Sequence, residues 1–218
     1  MAEELGRRRL KGLYGLVNNA GAGSPAPVEL IDLEEFRREL QARVLGSVAM
    51  VQAFLPLLRQ GRGRIVWIVT PALIPTVYVA GIHACDFAVN CIARTLDIEL
   101  KPWDISNILV RCGGIKTRAG MRTTSDVDSL LQKGPQDRVG LYREALESWG
   151  KDMAEFDKQR TEPEEVAKVV LNALSSARPK KRYSVGYMAG AARVLEALPA
   201  GAADWILKTR VSGPEADK

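Results

Sequence analysis

Residues 12–21 read GLYGLVNNAG, a short apolar run that breaks into a polar loop. The run over 13–18 is typical of a buried strand, and the Asn-Asn-Ala-Gly that ends it is typical of a loop. Residues 64–69 (RIVWIV) are apolar almost without interruption, as a strand covered on both faces requires. Further strands are predicted over residues 107–110 and 182–187.

Segments with helical spacing separate these strands. Asp32 is a candidate N-cap with Glu35 three residues later, and apolar residues then recur at helical intervals through 33–58. Further helices are predicted over 82–100, 141–159, 161–177 and 189–208. Segment 118–135 is rich in Thr, Ser, Asp and Gly, so it is predicted to be a mobile loop. Strands that alternate with helices of this length predict βαβ units, a parallel sheet and a single domain over 1–218.

The composition is that of a soluble globular protein, with 46% hydrophobic and 26% charged residues. The net charge is +5, but the basic residues are scattered, and the one dense cluster (RPKKR, 178–182) lies between a helix and a strand. We therefore expect no nucleic-acid partner. No leader-like segment and no membrane-length apolar run is visible, and Cys85, Cys91 and Cys112 lack metal-type spacing. The sequence thus predicts a cytoplasmic protein with reduced thiols, no metal and no membrane span.

Several motifs, in this order, resemble the short-chain dehydrogenase/reductase family, and its retinol, 17β-hydroxysteroid and 3-hydroxybutyrate dehydrogenase branch in particular. Residues 12–21 resemble the family's fourth strand and its loop, and 63–70 (GRIVWIVT) resemble the fifth strand. Residues 113–117 (GGIKT) resemble the loop after the sixth strand, and 178–185 the last helix–strand junction. The resemblance implies a three-layer αβα Rossmann-like parallel sheet that lacks the N-terminal βαβαβ half and retains strands four to seven.

Two departures from the family pattern bear on function. Only 17 residues precede Asn18, and they hold no glycine-rich turn of the kind that binds a pyrophosphate, so we expect a truncated fold without a bound cofactor. The positions of the family's Tyr-x-x-x-Lys motif hold Ile82 and Asp86, and its helix asparagine falls on Arg43. Isoleucine has no proton to donate, and a carboxylate raises the pKa of a neighbouring phenol rather than lowering it.

Five residues are the candidates for any remaining chemistry: Asp86, Thr70, Tyr78, Arg43 and His83. The resemblance places Arg43 and Asp86 near one pocket floor, and their opposite charges predict an ion pair. Thr70 stands at the family's serine position, where it could orient a substrate oxygen or simply bond to backbone. Tyr78 could offer a phenol from the loop above the pocket. His83 is the only histidine, so any imidazole chemistry must use it. It lies one residue past position 82, about 100° around the helix, and the alternative to a chemical role is a structural role on the helix face.

These features predict a pseudoenzyme that serves as a non-redox binding or assembly module. Two alternatives stay open: a repurposed isomerase, cyclase or lyase acting on a hydrophobic small molecule, and a residual NAD(P)-dependent oxidoreductase completed by another chain. The resemblance also implies a homo-oligomer, formed through the apolar faces of helices 33–58 and 82–100. Strand 13–18 lacks one neighbour in such a fold, so we expect its edge to be covered by residues 1–11 or by another chain.

Overall fold

A computed structural model describes residues 12–118 and 120–209 of the chain. Its sheet has four parallel strands in chain order: β1 (Gly15–Asn18), β2 (Arg64–Val69), β3 (Ser106–Cys112) and β4 (Arg182–Val185). The predicted bounds of β2 agree with the structure, and each other strand is found within two residues of its predicted ends. Parallel neighbours need a crossover connection, so the helices between the strands must cover the faces of the sheet.

Eight α-helices accompany the sheet in the described residues. The first begins after Asp32, whose carboxylate accepts from the backbone N–H groups of Glu34 and Glu35, as the N-cap prediction required. The helices are α1 (Leu33–Leu40), α2 (Gly46–Gly61), α3 (Ala80–Glu99), α4 (Thr123–Lys133), α5 (Gln136–Lys158), α6 (Pro163–Ser175), α7 (Ala189–Glu196) and α8 (Ala200–Lys208). A π turn over Gln41–Leu45 joins α1 to α2.

Alternation along β2 divides the core between the two faces of the sheet. Ile65, Trp67 and Val69 face a cluster built with α2 and α3, and Val66 faces a second cluster built with α6. Successive strand residues point to opposite faces, so a strand with no polar residue in its interior must be covered on both sides. The three-layer αβα arrangement predicted from the sequence is confirmed.

The prediction of a mobile loop over 118–135 is wrong. Helix α4 occupies Thr123–Lys133 and packs antiparallel to α5. Val127 and Leu131, one turn apart, are both buried in a small cluster with Leu30 and Val139. The polar composition is typical of a loop, but this apolar pair gives the segment a buried stripe. Tertiary packing of that stripe outweighs the weak helix propensity of the polar residues.

The helical segment Leu33–Gly61 differs from the sequence prediction in one respect. Its most apolar window is long and apolar enough to cross a bilayer by length and composition alone, whereas the sequence reading found no membrane span. Only 17% of that window is buried, although Val51, Phe54 and Leu58 from this segment lie in the main core cluster. Pro56 lies inside α2.

Strand β1 is at an edge of the sheet. Its one strand partner among the described residues is β2, and Val17 is 40% exposed. The residues described in the structure therefore leave the outer side of β1 unpaired, and the proposed covering role of residues 1–11 lies outside them.

Candidate active site

A cavity of about 660 Å³ lies where three parallel strands end. The carboxyl ends of such strands meet at one edge of the sheet, which is where ligands bind in open α/β folds. The end of each strand contributes to the lining, through Asn19 after β1, Thr70 after β2 and Gly113 after β3. The other lining residues on which the site depends come from the helical segments and from the loops after β3 and α5. They are Arg43, Ile82, Asp86, Ile115, Thr117 and Arg160.

Arg43 and Asp86 form an ion pair at the floor of this cavity. Arg43 projects from the π turn Gln41–Leu45, and such turns recur at functional sites because they change the direction of a helical side chain. The side chain of Asp86 is 2% exposed and that of Arg43 is 16% exposed. The predicted pairing of these two residues is confirmed.

The carboxylate of Asp86 also fixes the end of β2. Its second oxygen, Oδ2, accepts from the backbone N–H of Thr70 at 2.9 Å. The Thr70 hydroxyl is held only weakly, because its contact with the carbonyl oxygen of Ala72 is 3.5 Å long. Asp86 therefore positions both Arg43 and Thr70, and it leaves the threonine hydroxyl available to a ligand.

The glycine of the Asn-Asn-Ala-Gly loop accommodates the ion pair. A β-carbon at Gly21 would lie 2.5 Å from Cγ of Arg43 and 2.8 Å from its Nη1. Since the arginine crosses directly over this position, any larger residue would push it away from Asp86. Arg43 retains one unused donor, because its buried Nε has no hydrogen-bond partner in the described part of the chain.

Tyr78 does not join this site. It lines a different cavity of about 550 Å³, together with Tyr142 and Leu207. Its ring packs edge-on against Trp149 with centroids 5.7 Å apart, and burial raises the pKa of its phenol. The residue has φ of 64°, a left-handed conformation that places its side chain towards α5 rather than towards Thr70. A sequence motif gives no signal of such a backbone conformation.

His83 also lies outside the cavity lining. Its Nδ1 is 3.1 Å from the carbonyl oxygen of Ile74, and because a carbonyl can only accept, Nδ1 carries the proton. Burial is the main cause that lowers the pKa of His83, so the ring is neutral at neutral pH. The residue fastens α3 to the loop after β2, which agrees with the helix-face alternative.

The cysteines near the site have no nucleophilic character. Burial raises the pKa of Cys85 to about 11 and that of Cys112 to about 12. A thiol is a nucleophile only as its thiolate, so both are inert at neutral pH. Cys91 is exposed on α3.

Arg160 is a site residue that the sequence reading missed. It follows α5, is 10% exposed and pairs with Asp157 at 2.6 Å. Its guanidinium also donates to the carbonyl oxygens of Ile115 and Gly120, both at 3.3 Å, and so it ties the loop after β3 to the cavity wall. The acid–base spacing of Asp157 and Arg160 is visible in the sequence, but it is indistinguishable there from an ordinary surface pair.

Comparison with known proteins identifies the family. Residues 4–128 match the profile of the short chain dehydrogenase family. The 11-beta-hydroxysteroid dehydrogenase type 2 of Homo sapiens is 30% identical over 186 residues, which are 80% of this chain and 45% of that protein. Retinol dehydrogenase 16 of Mus musculus is 27% identical over 190 residues, 85% of this chain and 59% of that protein. The chain therefore spans about half the length of the curated relatives it matches.

A solved structure shows the same fold. The short chain dehydrogenase from Burkholderia cenocepacia in complex with NADP superposes with a TM-score of 0.67 at 23% identity, covering 94% of this chain and 76% of that chain. The matching family and relatives are dehydrogenases, so the interpretation as a non-redox binding module, isomerase, cyclase or lyase is wrong. That interpretation gave too much weight to positions 82 and 86, since two altered side chains leave the cavity at the sheet edge in place. Because the profile match covers more than half of the residues and the fold agrees with it, the chain belongs to the short chain dehydrogenase family.

Proposed function

We propose that this chain forms the substrate-side part of an NAD(P)-dependent oxidoreductase that interconverts a hydroxyl and a carbonyl group on a lipophilic small molecule. The observation that carries the proposal is the cavity at the carboxyl ends of β1, β2 and β3, with Thr70 and Arg43 in its lining. The substrate class is suggested by relatives named for hydroxysteroids and retinol. The apolar side chains of Ile82 and Ile115 in the lining suit such a substrate.

The residues of the cavity fit the nicotinamide end of a dinucleotide. The volume of about 660 Å³ is within the range of small-molecule sites. Val17, Asn19 and Thr117 would hold the ring. When bound, the dinucleotide would supply or accept a hydride.

The described residues hold no glycine-rich strand-to-helix turn for the pyrophosphate. We therefore propose that the adenosine half is bound by residues beyond the described ones, in a longer product or in a second chain. The chain alone should then bind NADH or NADPH weakly, because the phosphate contacts supply much of the affinity for such a ligand.

In this proposal two residues of the chain act on the substrate oxygen, and a third residue positions them. The Thr70 hydroxyl can accept a proton from a substrate alcohol while it passes its own proton to water in the cavity. The guanidinium of Arg43, with an unused donor at Nε, stabilises negative charge that develops on that oxygen. Asp86 acts as a positioning residue, since it holds both groups and touches no substrate in this scheme.

The proposal is tested with the purified chain and reduced nicotinamide mononucleotide, which carries the nicotinamide without the adenosine. We expect it to shift the backbone amide resonances of Val17, Asn19 and Thr117, and to reduce retinaldehyde or a steroid ketone slowly. Thr70→Ala should lower this rate by about 100-fold or more, the usual contribution of acid–base catalysis, while Glu147→Gln on the exposed face of α5 should not change it. If neither this compound nor NADPH perturbs the cavity residues, the proposal fails.

We also propose a homodimer through helices 33–58 and 82–100. Leu45, Met50, Phe87 and Ile98 from this region are large apolar side chains that stay exposed. Not every apolar residue of these helices is available to the interface, since Val51 is 3% exposed and belongs to the core. The cytoplasmic location remains a prediction.

A further inference from the structure

A second cavity, of about 540 Å³, lies between helix α1 and the α4–α5 pair. This second cavity is separate from the cavity at the sheet edge. Gly81 lines the second cavity, whereas its neighbour Ile82 lines the cavity at the sheet edge. Its ionisable lining residues are mostly acidic: Glu29, Asp32, Glu35, Glu39 and Asp126 against Lys133 and Arg138. Both of these cations are exposed, so they lie at the rim where water screens them.

Glu39 is a buried carboxylate with an unused oxygen. The residue is 8% exposed, and its Oε1 accepts from the backbone N–H of Ser24 at 3.2 Å. Its Oε2 is buried and has no hydrogen-bond partner in the described ranges. Arg43, one turn further on, pairs with Asp86 and makes no hydrogen bond to this oxygen. A buried carboxylate oxygen that accepts no hydrogen bond is costly, and native structures rarely keep one without a reason.

Two more carboxylates face the same space as Glu39. Glu35 precedes it by four residues on α1, which puts both side chains on one face of the helix, and Glu35 accepts from the Ser24 hydroxyl at 2.6 Å. Asp126 lines the opposite wall from α4 and is half-buried. None of these three acids forms an ion pair among the described residues, although Arg38 and Arg122 line a shallow depression beside Glu35 and Glu39.

We propose that this cavity binds the ammonium group of a small organic amine, with Glu39 Oε2 and the carboxylate of Glu35 as its acceptors. An ammonium group carries one positive charge and three donors, which matches a cluster rich in acceptors. A metal ion fits less well, since the described residues contain no group of three or more side chains arranged to hold one. The Phe36 ring, Pro25 and Leu130 supply apolar surface for the hydrocarbon part of the amine, and an aromatic face also attracts a cation.

The test uses benzylamine and its neutral counterpart, benzyl alcohol, with the full chain at neutral pH. We expect benzylamine to shift the amide resonances of Ser24, Phe36 and Gly81, and to give a measurable binding isotherm by calorimetry. Benzyl alcohol should bind at least about tenfold more weakly, because it lacks the charge-assisted hydrogen bonds. Glu39→Gln should weaken benzylamine binding by a similar factor, and the exposed control Glu147→Gln should leave it unchanged.

Equal binding of the amine and the alcohol would overturn the proposal, as would undiminished amine binding by Glu39→Gln or shifts confined to another part of the protein. If Glu39→Gln does not fold, the comparison of the two probes on the unaltered chain, together with Glu35→Gln, decides the question. The readout is binding alone, so its failure leaves the proposed oxidoreductase activity untouched.

Discussion

Arg43 and Asp86 are 43 residues apart in the chain and form a mostly buried ion pair beneath the cavity at the sheet edge. The π turn carries the arginine, and α3 carries the aspartate. Because Asp86 also accepts from the backbone of Thr70, the pair joins the end of β2 to two helices. Loss of either charge therefore affects the site as well as the local packing.

The pair should show strong coupling in a double-mutant cycle. Asp86→Asn leaves a charged arginine without its partner, and we expect it to cost about 3 kcal/mol, the low end of the range for broken buried pairs. Arg43→Met should cost a similar amount, whereas the double variant should be less destabilised than the sum of the two. Urea denaturation of all four proteins measures the coupling, and simple additivity would contradict it.

Gly21→Ala should destabilise the protein through Arg43. The new β-carbon would lie 2.5 Å from Cγ of the arginine, and we expect a cost of about 1–3 kcal/mol, as for other overpacked sites. The same substitution in an Arg43→Ala background should cost almost nothing, because the clashing side chain is gone. Gly140→Ala on α5 is the control, since its β-carbon would meet no atom within 4 Å and alanine favours a helix by about 1 kcal/mol. A Gly21→Ala cost that persists without Arg43 would point to backbone strain instead.

Glu39 should make the stability of the protein fall as pH rises. Burial is the main cause that raises the pKa of this carboxyl above its ordinary value of 4.5. The charge of Glu35 also raises it, while the N–H of Ser24 and the charge of Arg43 lower it. The folded protein then binds more protons than the unfolded chain, so the stabilising contribution is full below pH 4.5 and is lost as pH rises through the raised pKa.

Glu39→Gln should remove this pH dependence and stabilise the protein at neutral pH, because the neutral amide has no buried charge to desolvate. Thermal or urea denaturation between acidic and neutral pH provides the measurement, with Glu147→Gln as the exposed control. Parallel pH profiles for the unaltered protein and Glu39→Gln would show that the carboxylate is satisfied in solution.

Thiol labelling should distinguish the three cysteines and report on assembly. Cys91 is exposed, whereas burial raises the pKa of Cys85 to about 11 and that of Cys112 to about 12. We expect one thiol to react with Ellman's reagent in the native protein and all three in denaturant. If the dimer forms through residues 82–100, the labelling of Cys91 should slow as protein concentration rises. A rate that does not depend on concentration would speak against that interface.

The sequence by itself determined those elements whose residues show a clear local pattern of apolar or capping residues. Strand β2 could be assigned from its letters because an unbroken apolar run can only be satisfied by burial on both faces. The N-cap at Asp32 followed from local hydrogen-bonding chemistry. The Arg43–Asp86 pair came from the family resemblance, which supplied the proximity that two charges 43 residues apart cannot indicate.

Only the tertiary structure decided the rest. Helix α4 forms in a polar segment because Val127 and Leu131 find a buried surface on α5 and at Leu30, which lies almost 100 residues earlier. Tyr78 leaves the site because its backbone adopts a left-handed conformation that no motif indicates. In the sequence Glu39 looks like one more surface acid on an amphipathic helix. It is a buried carboxylate with one unpartnered oxygen only because the loop at Ser24 lies over it. Local pattern fixes which segments become helix or strand, whereas the charge state and accessibility of a side chain depend on what distant segments place around it.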